Sequence, residues 1–294
     1  MLIGVAPLNA AIVRDVRAAL ARNDFATAAK IAADFRSANG VTAETAEAYS
    51  WLARGAWNLK HADRAESLAV DTRRMALELL RSRKLDADSH LPVALGASIE
   101  VQAQVMTARG ERDQAVTFLR DELGRWRDTS IRARIQKNLN VLSLEGKPAP
   151  AIPGIDAKGR PVLVFLWAHW CPDCKAMAPT LARIEQEYGP KGLLLVAPTQ
   201  RYGYTKRGAD ATPVEETKYI EQIRREHYGA VKNMPAPIDE EVFRTYGAST
   251  TPTIVLIDRA GIVRLYHPAE MTYEELAPKI EPLVKPLSRA AEAR

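Results

Sequence analysis

The chain has 294 residues, 47% hydrophobic and 26% charged, which is an ordinary soluble globular composition and length enough for two domains with separate cores. Forty-one Lys and Arg against 36 Asp and Glu leave +5, too little and too dispersed for a nucleic-acid surface, with no basic block beside an aromatic platform. Only two cysteines occur, Cys171 and Cys174, which excludes a disulfide-stapled scaffold and a four-cysteine zinc site, and no run reaches the roughly 18–20 apolar residues that cross a bilayer.

In chain order, Met1–Ala10 lacks a basic flank, and its short apolar stretch is broken by Gly4 and Pro7. It reads either as a poor signal peptide or as the tail of a longer one. From Asn9 to Leu144 the chain is rich in Ala, Leu and Arg, with stripes at helical spacing: Ile12, Val16, Ala19 and Leu20, then Ile99, Ala103 and Met106. Breaks at Asn23, Lys60 and Gly110 look alike, each followed by a polar first helical turn and a small Ala that lets a second helix pack closely on the first. This pattern resembles tetratricopeptide (TPR) repeats, although the breaks lie 37 and 50 residues apart rather than about 34. Residues 1–144 are therefore expected as an all-α, TPR-like domain of helix hairpins, serving either as a groove for a client peptide or as a cap on the second domain.

Residues 145–160, rich in Pro and Gly, read as a linker. From 161 to 294 the period changes. Pro161–Trp167 and Gly192–Ala197 are apolar runs of buried-strand type, with a helix from Pro172 to about Tyr188 between them. An amphipathic helix spans Pro213–Tyr228. Thr253–Asp258, a turn at Arg259–Gly261 and Ile262–Tyr266 form a hairpin, and a helix from Thr272 to Leu283 closes the domain. The expected class is α/β, a mixed sheet flanked by helices.

Chemistry concentrates at Trp170-Cys171-Pro172-Asp173-Cys174-Lys175, after a buried strand and at the start of a helix. Sulfurs three residues apart on a first helical turn can close into a disulfide. At the helix N-terminus Cys171 is favoured as thiolate, the attacking species in disulfide exchange, while Cys174, one turn further in, suits the resolving role.

The run Phe165–Lys175, Pro179 five residues past Cys174, and Thr251-Pro252-Thr253 before a strand resemble thioredoxin. The Ile257–Gly261 turn and the roughly forty residues between Ala197 and a helix at Asp239 resemble its TlpA-like branch, disulfide reductases of the bacterial envelope. The resemblance spans about residues 147–286. It implies a cis Pro252 facing the cysteines, a Thr251 backbone that hydrogen-bonds an extended substrate, a helix kinked by Pro179 and a Trp170 that shields the sulfurs. Two departures stand out. Phe165 and Met177 occupy the positions at which these relatives carry a carboxylate to handle the proton of the second cysteine. Asp173 opposes the Cys171 thiolate, so the pair is expected to be reducing, unless Asp173 merely caps the helix.

Other candidates are weaker. His169 either assists a thiolate or is a partly exposed residue at a strand end. His227 and His267 lack metal-ligand spacing, copper at the cysteines with a distant His is a minor alternative, and the Gln200–Gly208 loop is either a recognition segment or an ordered surface loop. Peroxiredoxins, which share this fold, place Thr or Ser where Ala168 stands, which disfavours peroxidase chemistry. The expected activity is thiol–disulfide exchange on a protein disulfide, with no cofactor beyond the Cys171–Cys174 pair, no bound metal, and an external thiol donor. The alternative is a scaffold whose helical domain binds a client beside a non-catalytic recognition module. The resemblance implies a periplasmic or other extracytoplasmic location; the N-terminus as written, taken as the true start, implies a cytoplasmic one.

Overall fold

The computed structural model describes residues 11–285; the Met1–Ala10 segment weighed above as a signal peptide lies outside them. The described residues form two units, divided between Asn138 and Leu139.

The first unit is all-helical: α1 (Ala11–Ala21), α2 (Phe25–Asn39), α3 (Ala43–Asn58), α4 (Ala62–Leu79), α5 (Leu91–Ala108) and α6 (Arg112–Arg125), with α7 (Arg132–Ser143) running across the division. The three similar breaks share one backbone solution. Asn23, Lys60 and Gly110 all have positive φ. The amides just beyond them, of Asp24, His61 and Glu111, reach back to the carbonyls of Ala19, Ala56 and Met106 at 3.0, 2.9 and 2.9 Å. These are six-to-one bonds that satisfy the last orphan carbonyls of α1, α3 and α5. Alanines then line the seams, with Ala28, Ala53, Ala56, Ala65 and Ala69 essentially inaccessible, so neighbouring helices approach without side chains to hold them apart.

The second unit has a four-stranded sheet in the order β2-β1-β3-β4. β1 (Val162–Leu166) runs parallel to β2 (Leu194–Val196) and antiparallel to β3 (Thr253–Ile257), which pairs antiparallel with β4 (Val263–His267). Every residue of β1 and β3 is buried. Their alternation feeds two cores. Leu163, Phe165, Ile254 and Leu256 point to one that includes residues of α9 (Ala178–Tyr188), α10 (Pro213–Tyr228) and α12 (Tyr273–Val284). Val162, Val164, Leu166, Val255 and Ile257 point to the other, with α11 (Glu240–Tyr246). Capping boxes at Thr212–Glu215 and Thr272–Glu275 start α10 and α12.

The segment expected as a linker is docked rather than free. Gly146 and Ala149 donate to the carbonyls of Val263 and Gly261 at 2.8 Å each, and the Val263 amide donates to Lys147 at 2.9 Å. Pro148 pairs with Ile262, and the Tyr246 hydroxyl donates to the Pro150 carbonyl at 2.7 Å. No helix among the described residues is long and apolar enough to cross a membrane.

Candidate active site

β1 delivers the chain to the site, and the loop after β2 fixes its exit. Trp167 is buried, its indole nitrogen donating to the Ala197 carbonyl at 3.0 Å, and the Thr199 hydroxyl donates to the Trp167 carbonyl at 2.8 Å. Cys171 then stands as N-cap of a one-turn helix, α8 (Pro172–Ala176). The two cysteines form a disulfide with Cα atoms 5.3 Å apart, inside the range that needs no backbone distortion.

The Cys171 Sγ accepts from the Cys174 amide at 3.0 Å and lies 3.4 Å from the Thr251 carbonyl oxygen. These two neighbours act in opposite senses once the pair is reduced: the amide stabilises a thiolate, whereas the carbonyl favours the protonated thiol. Thr251–Pro252 is a cis peptide immediately before β3, and the Thr253 hydroxyl holds that turn by donating to the Thr250 carbonyl at 2.7 Å.

Cys171 keeps 1% of its surface. It lies one layer down, beneath exposed neighbours Trp170, Pro172 and Asp173, because its sulfur is occupied by Cys174 and by the Thr251 turn. The helix does not run unbroken to a kink at Pro179: it stops at Met177 and restarts as α9, with Pro179 in the first turn, where its missing N–H costs nothing. Asp173 does not cap α8, because the Cys171 sulfur holds that position. Asp173 is exposed in the first turn.

Phe165 is fully buried edge-on to Tyr228, and Met177 is 4% exposed, so both positions are packed with apolar side chains. Lys175 is half-buried. Trp170 is 46% exposed and meets Tyr202 edge-on at 5.5 Å.

His169 is the largest departure. Instead of a partly exposed strand end, it is buried to 1%, with the rings of Tyr202, Tyr204 and Tyr219 set edge-on around it at 5.4–5.7 Å. Its Nε2 bonds to Glu216 of α10 at 3.0 Å, and the same carboxylate accepts from the Tyr202 and Gly203 amides at 2.6 and 2.8 Å. Burial pushes the His169 pKa below its usual value despite the pull of Glu216. The Gln200–Gly208 loop is thus anchored: its tyrosines turn onto His169 while Arg201, Lys206 and Arg207 stay exposed. Sequence reasoning missed Glu216, which no motif marks. His227 is exposed and His267 half-buried. Among the described residues no group of His, Cys, Asp and Glu is gathered as a metal site would need.

Residues 150–283 match the thioredoxin-like domain family. A thiol-disulfide oxidoreductase ResA of Bacillus thuringiensis subsp. konkukian is 30% identical over 141 residues, covering 47% of this chain and 70% of the relative. A thiol:disulfide interchange protein DsbE of Pseudomonas aeruginosa is 26% identical over 164 residues, covering 52% and 82%. A solved structure of a DsbE-type protein from Chlorobium tepidum is 26% identical, with coverage of 48% and 98% and a TM-score of 0.37.

Proposed function

We propose that this chain, which belongs to the thioredoxin-like family, is a protein thiol–disulfide oxidoreductase acting in the reducing direction through Cys171 and Cys174. The observation that carries this reading is the closed Cys171–Cys174 disulfide at the start of α8, with one sulfur against both the Cys174 amide and the carbonyl preceding cis-Pro252.

In the reduced protein the Cys171 thiolate attacks one sulfur of a substrate cystine. That S–S bond breaks, the distal substrate sulfur leaves as thiolate, and a mixed disulfide forms on Cys171. Cys174 then gives up its proton and attacks the Cys171 sulfur, so the second substrate sulfur leaves and the intramolecular disulfide closes. Two electrons have passed to the substrate. With Phe165 and Met177 packed as apolar residues, the Cys174 proton passes through water to the departing substrate thiolates. The Thr251 backbone orients an extended substrate strand, Trp170 and Lys175 border it, and an external protein dithiol reopens the pair. No organic cofactor or metal enters this cycle. The helical unit serves as a client-binding element, and the protein works outside the cytoplasm, where protein disulfides persist.

Insulin reduction by the full chain, with Cys174→Ser as a trap, tests the reading. Exchange chemistry gives turnover in the wild type and accumulated mixed disulfides on Cys171 in the variant. The absence of both leaves the rival reading, a scaffold in which the thioredoxin-like unit only recognises its partner.

A further inference from the structure

The Gln200–Gly208 loop is held more firmly than a connection requires. Besides the Tyr202 and Gly203 amides on Glu216, the Thr205 amide donates to the Ala209 carbonyl at 2.8 Å and the Ala211 amide to the Gly203 carbonyl at 2.9 Å, while Tyr204 pairs with Asp210. At the tip Arg207 has φ +60°, left-handed backbone that few residues other than glycine adopt. A buried carboxylate is a costly anchor for a loop that only joins two elements. It fixes the loop before any partner arrives, so little ordering is left to oppose binding.

The loop carries a strip of side chains that starts beside the nucleophile. Trp170, next to Cys171 and exposed, meets Tyr202 at 5.5 Å, and Tyr202 meets Tyr204 at 6.1 Å between ring centroids. Both tyrosines keep part of their surface open. Lys206 and Arg207 follow at the tip, exposed and without an ion pair among the described residues, whereas Arg201 faces Glu240 at 3.8 Å. Asp210, the loop's own carboxylate, pairs with neither of the two tip cations. With the Tyr202 and Gly203 amides taken by Glu216, recognition falls to these side chains.

We propose that this strip selects substrate proteins whose reactive cysteine is flanked by an acidic segment. The inference rests on the disulfide-exchange reading of Cys171 and names the substrate class of that site. While the substrate sulfur bonds to Cys171, the neighbouring chain lies along Trp170, Tyr202 and Tyr204, and its carboxylates meet Lys206 and Arg207. The two ring-to-ring steps cover about three or four residues of extended chain at ~3.3 Å each. The acidic residues therefore stand about four to six positions from the reactive cysteine. Exposed charges of this kind act mainly on the rate of encounter and on the rejection of basic segments, which meet like charge at the same place. The exchange itself is unchanged: the protein dithiol closes to its disulfide, and the substrate cystine takes two electrons and two protons to become two thiols.

The test mixes the reduced full chain with symmetric peptide cystines and follows thiol release. Each peptide has one cysteine in a serine background, with Glu, Gln or Lys at the fourth to sixth positions before or after it. On at least one side the Glu peptide reacts about 3–10-fold faster than the Gln peptide and about tenfold or more faster than the Lys peptide. Salt at about 0.5 M compresses these ratios. Lys206→Gln/Arg207→Gln levels the order, and Lys206→Glu/Arg207→Glu reverses it. Rates within about twofold for all peptides, faster reaction of the Lys peptides, or an order that the double variants leave unchanged overturns the proposal. Failure to reduce any peptide, or insulin, counts against the exchange reading instead. The surface is then judged by anisotropy, with labelled Ser-for-Cys peptides and the oxidised protein. A Glu-over-Lys preference that the charge reversal inverts upholds it, and no preference up to millimolar peptide overturns it.

Discussion

Removing the Glu216 carboxylate strips one acceptor from three donors at once: His169 Nε2 and the amides of Tyr202 and Gly203. Each donor left buried without a partner costs about 1–3 kcal/mol. The two loop amides recover part of this by opening to water, so Glu216→Ala is expected to destabilise the second unit by about 3–5 kcal/mol. Glu216→Gln keeps an acceptor oxygen and costs about 1–2 kcal/mol. Because the chain folds as two units, the assay should report the second unit alone: hydrogen exchange of the β1 amides across a urea series, read by mass spectrometry. With a slope of about 2 kcal/mol/M, the alanine variant moves the midpoint down by about 2 M.

Acidity sharpens the test. The folded His169 pKa lies below its unfolded value, so its contribution is fully present above the unfolded value of about 6.5 and is lost as pH falls through the folded value. Glu216→Gln removes the neighbour that holds that pKa up, so its stability falls more steeply below pH 6.5. A midpoint shift in Glu216→Ala worth less than about 1 kcal/mol, with unchanged exchange at Tyr202 and Gly203, refutes the claim that this carboxylate anchors the loop.

Two further outcomes follow from neighbouring residues. Asp173→His replaces an exposed negative charge in the first turn of α8 and favours the Cys171 thiolate; equilibration with glutathione should show a reduction potential higher by about 10–40 mV, and an unchanged or lower value removes Asp173 as a tuner. Tyr246→Phe deletes the hydroxyl bond to the Pro150 carbonyl and should cost about 1 kcal/mol, seen as faster exchange at Ala149 and quicker proteolytic nicking between 149 and 157; identical protection would show that this hydroxyl does not hold the segment down.

The fold was readable where local chemistry and burial agree. Continuous apolar runs announce β1 and β3 because both faces of those strands are covered, and the breaks at Asn23, Lys60 and Gly110 announce helix hairpins because each is followed by a polar first turn and a small Ala that lets the next helix pack closely. The cysteine pair declares itself by spacing. What escaped depends on partners far apart in the chain. His169 looks like a strand-end residue until α10 brings Glu216 across 47 positions, and residues 145–160 look like a tether until β4 accepts their hydrogen bonds. The break at Met177 was hidden because Pro179 draws attention to itself while fitting the first turn of α9 without strain.

The docked prolines give the sheet a property of their own. β4 lies at one end of the strand order, and its outer side is taken by 146–149 with Pro148 at the centre. Beyond β2, at the other end, the Ala197 and Thr199 amides bond to the carbonyls of Pro235 and Pro237. A proline has no N–H to offer outward, so these docked segments make poor templates for another strand. The sheet is thereby kept from pairing edge to edge with another extended chain.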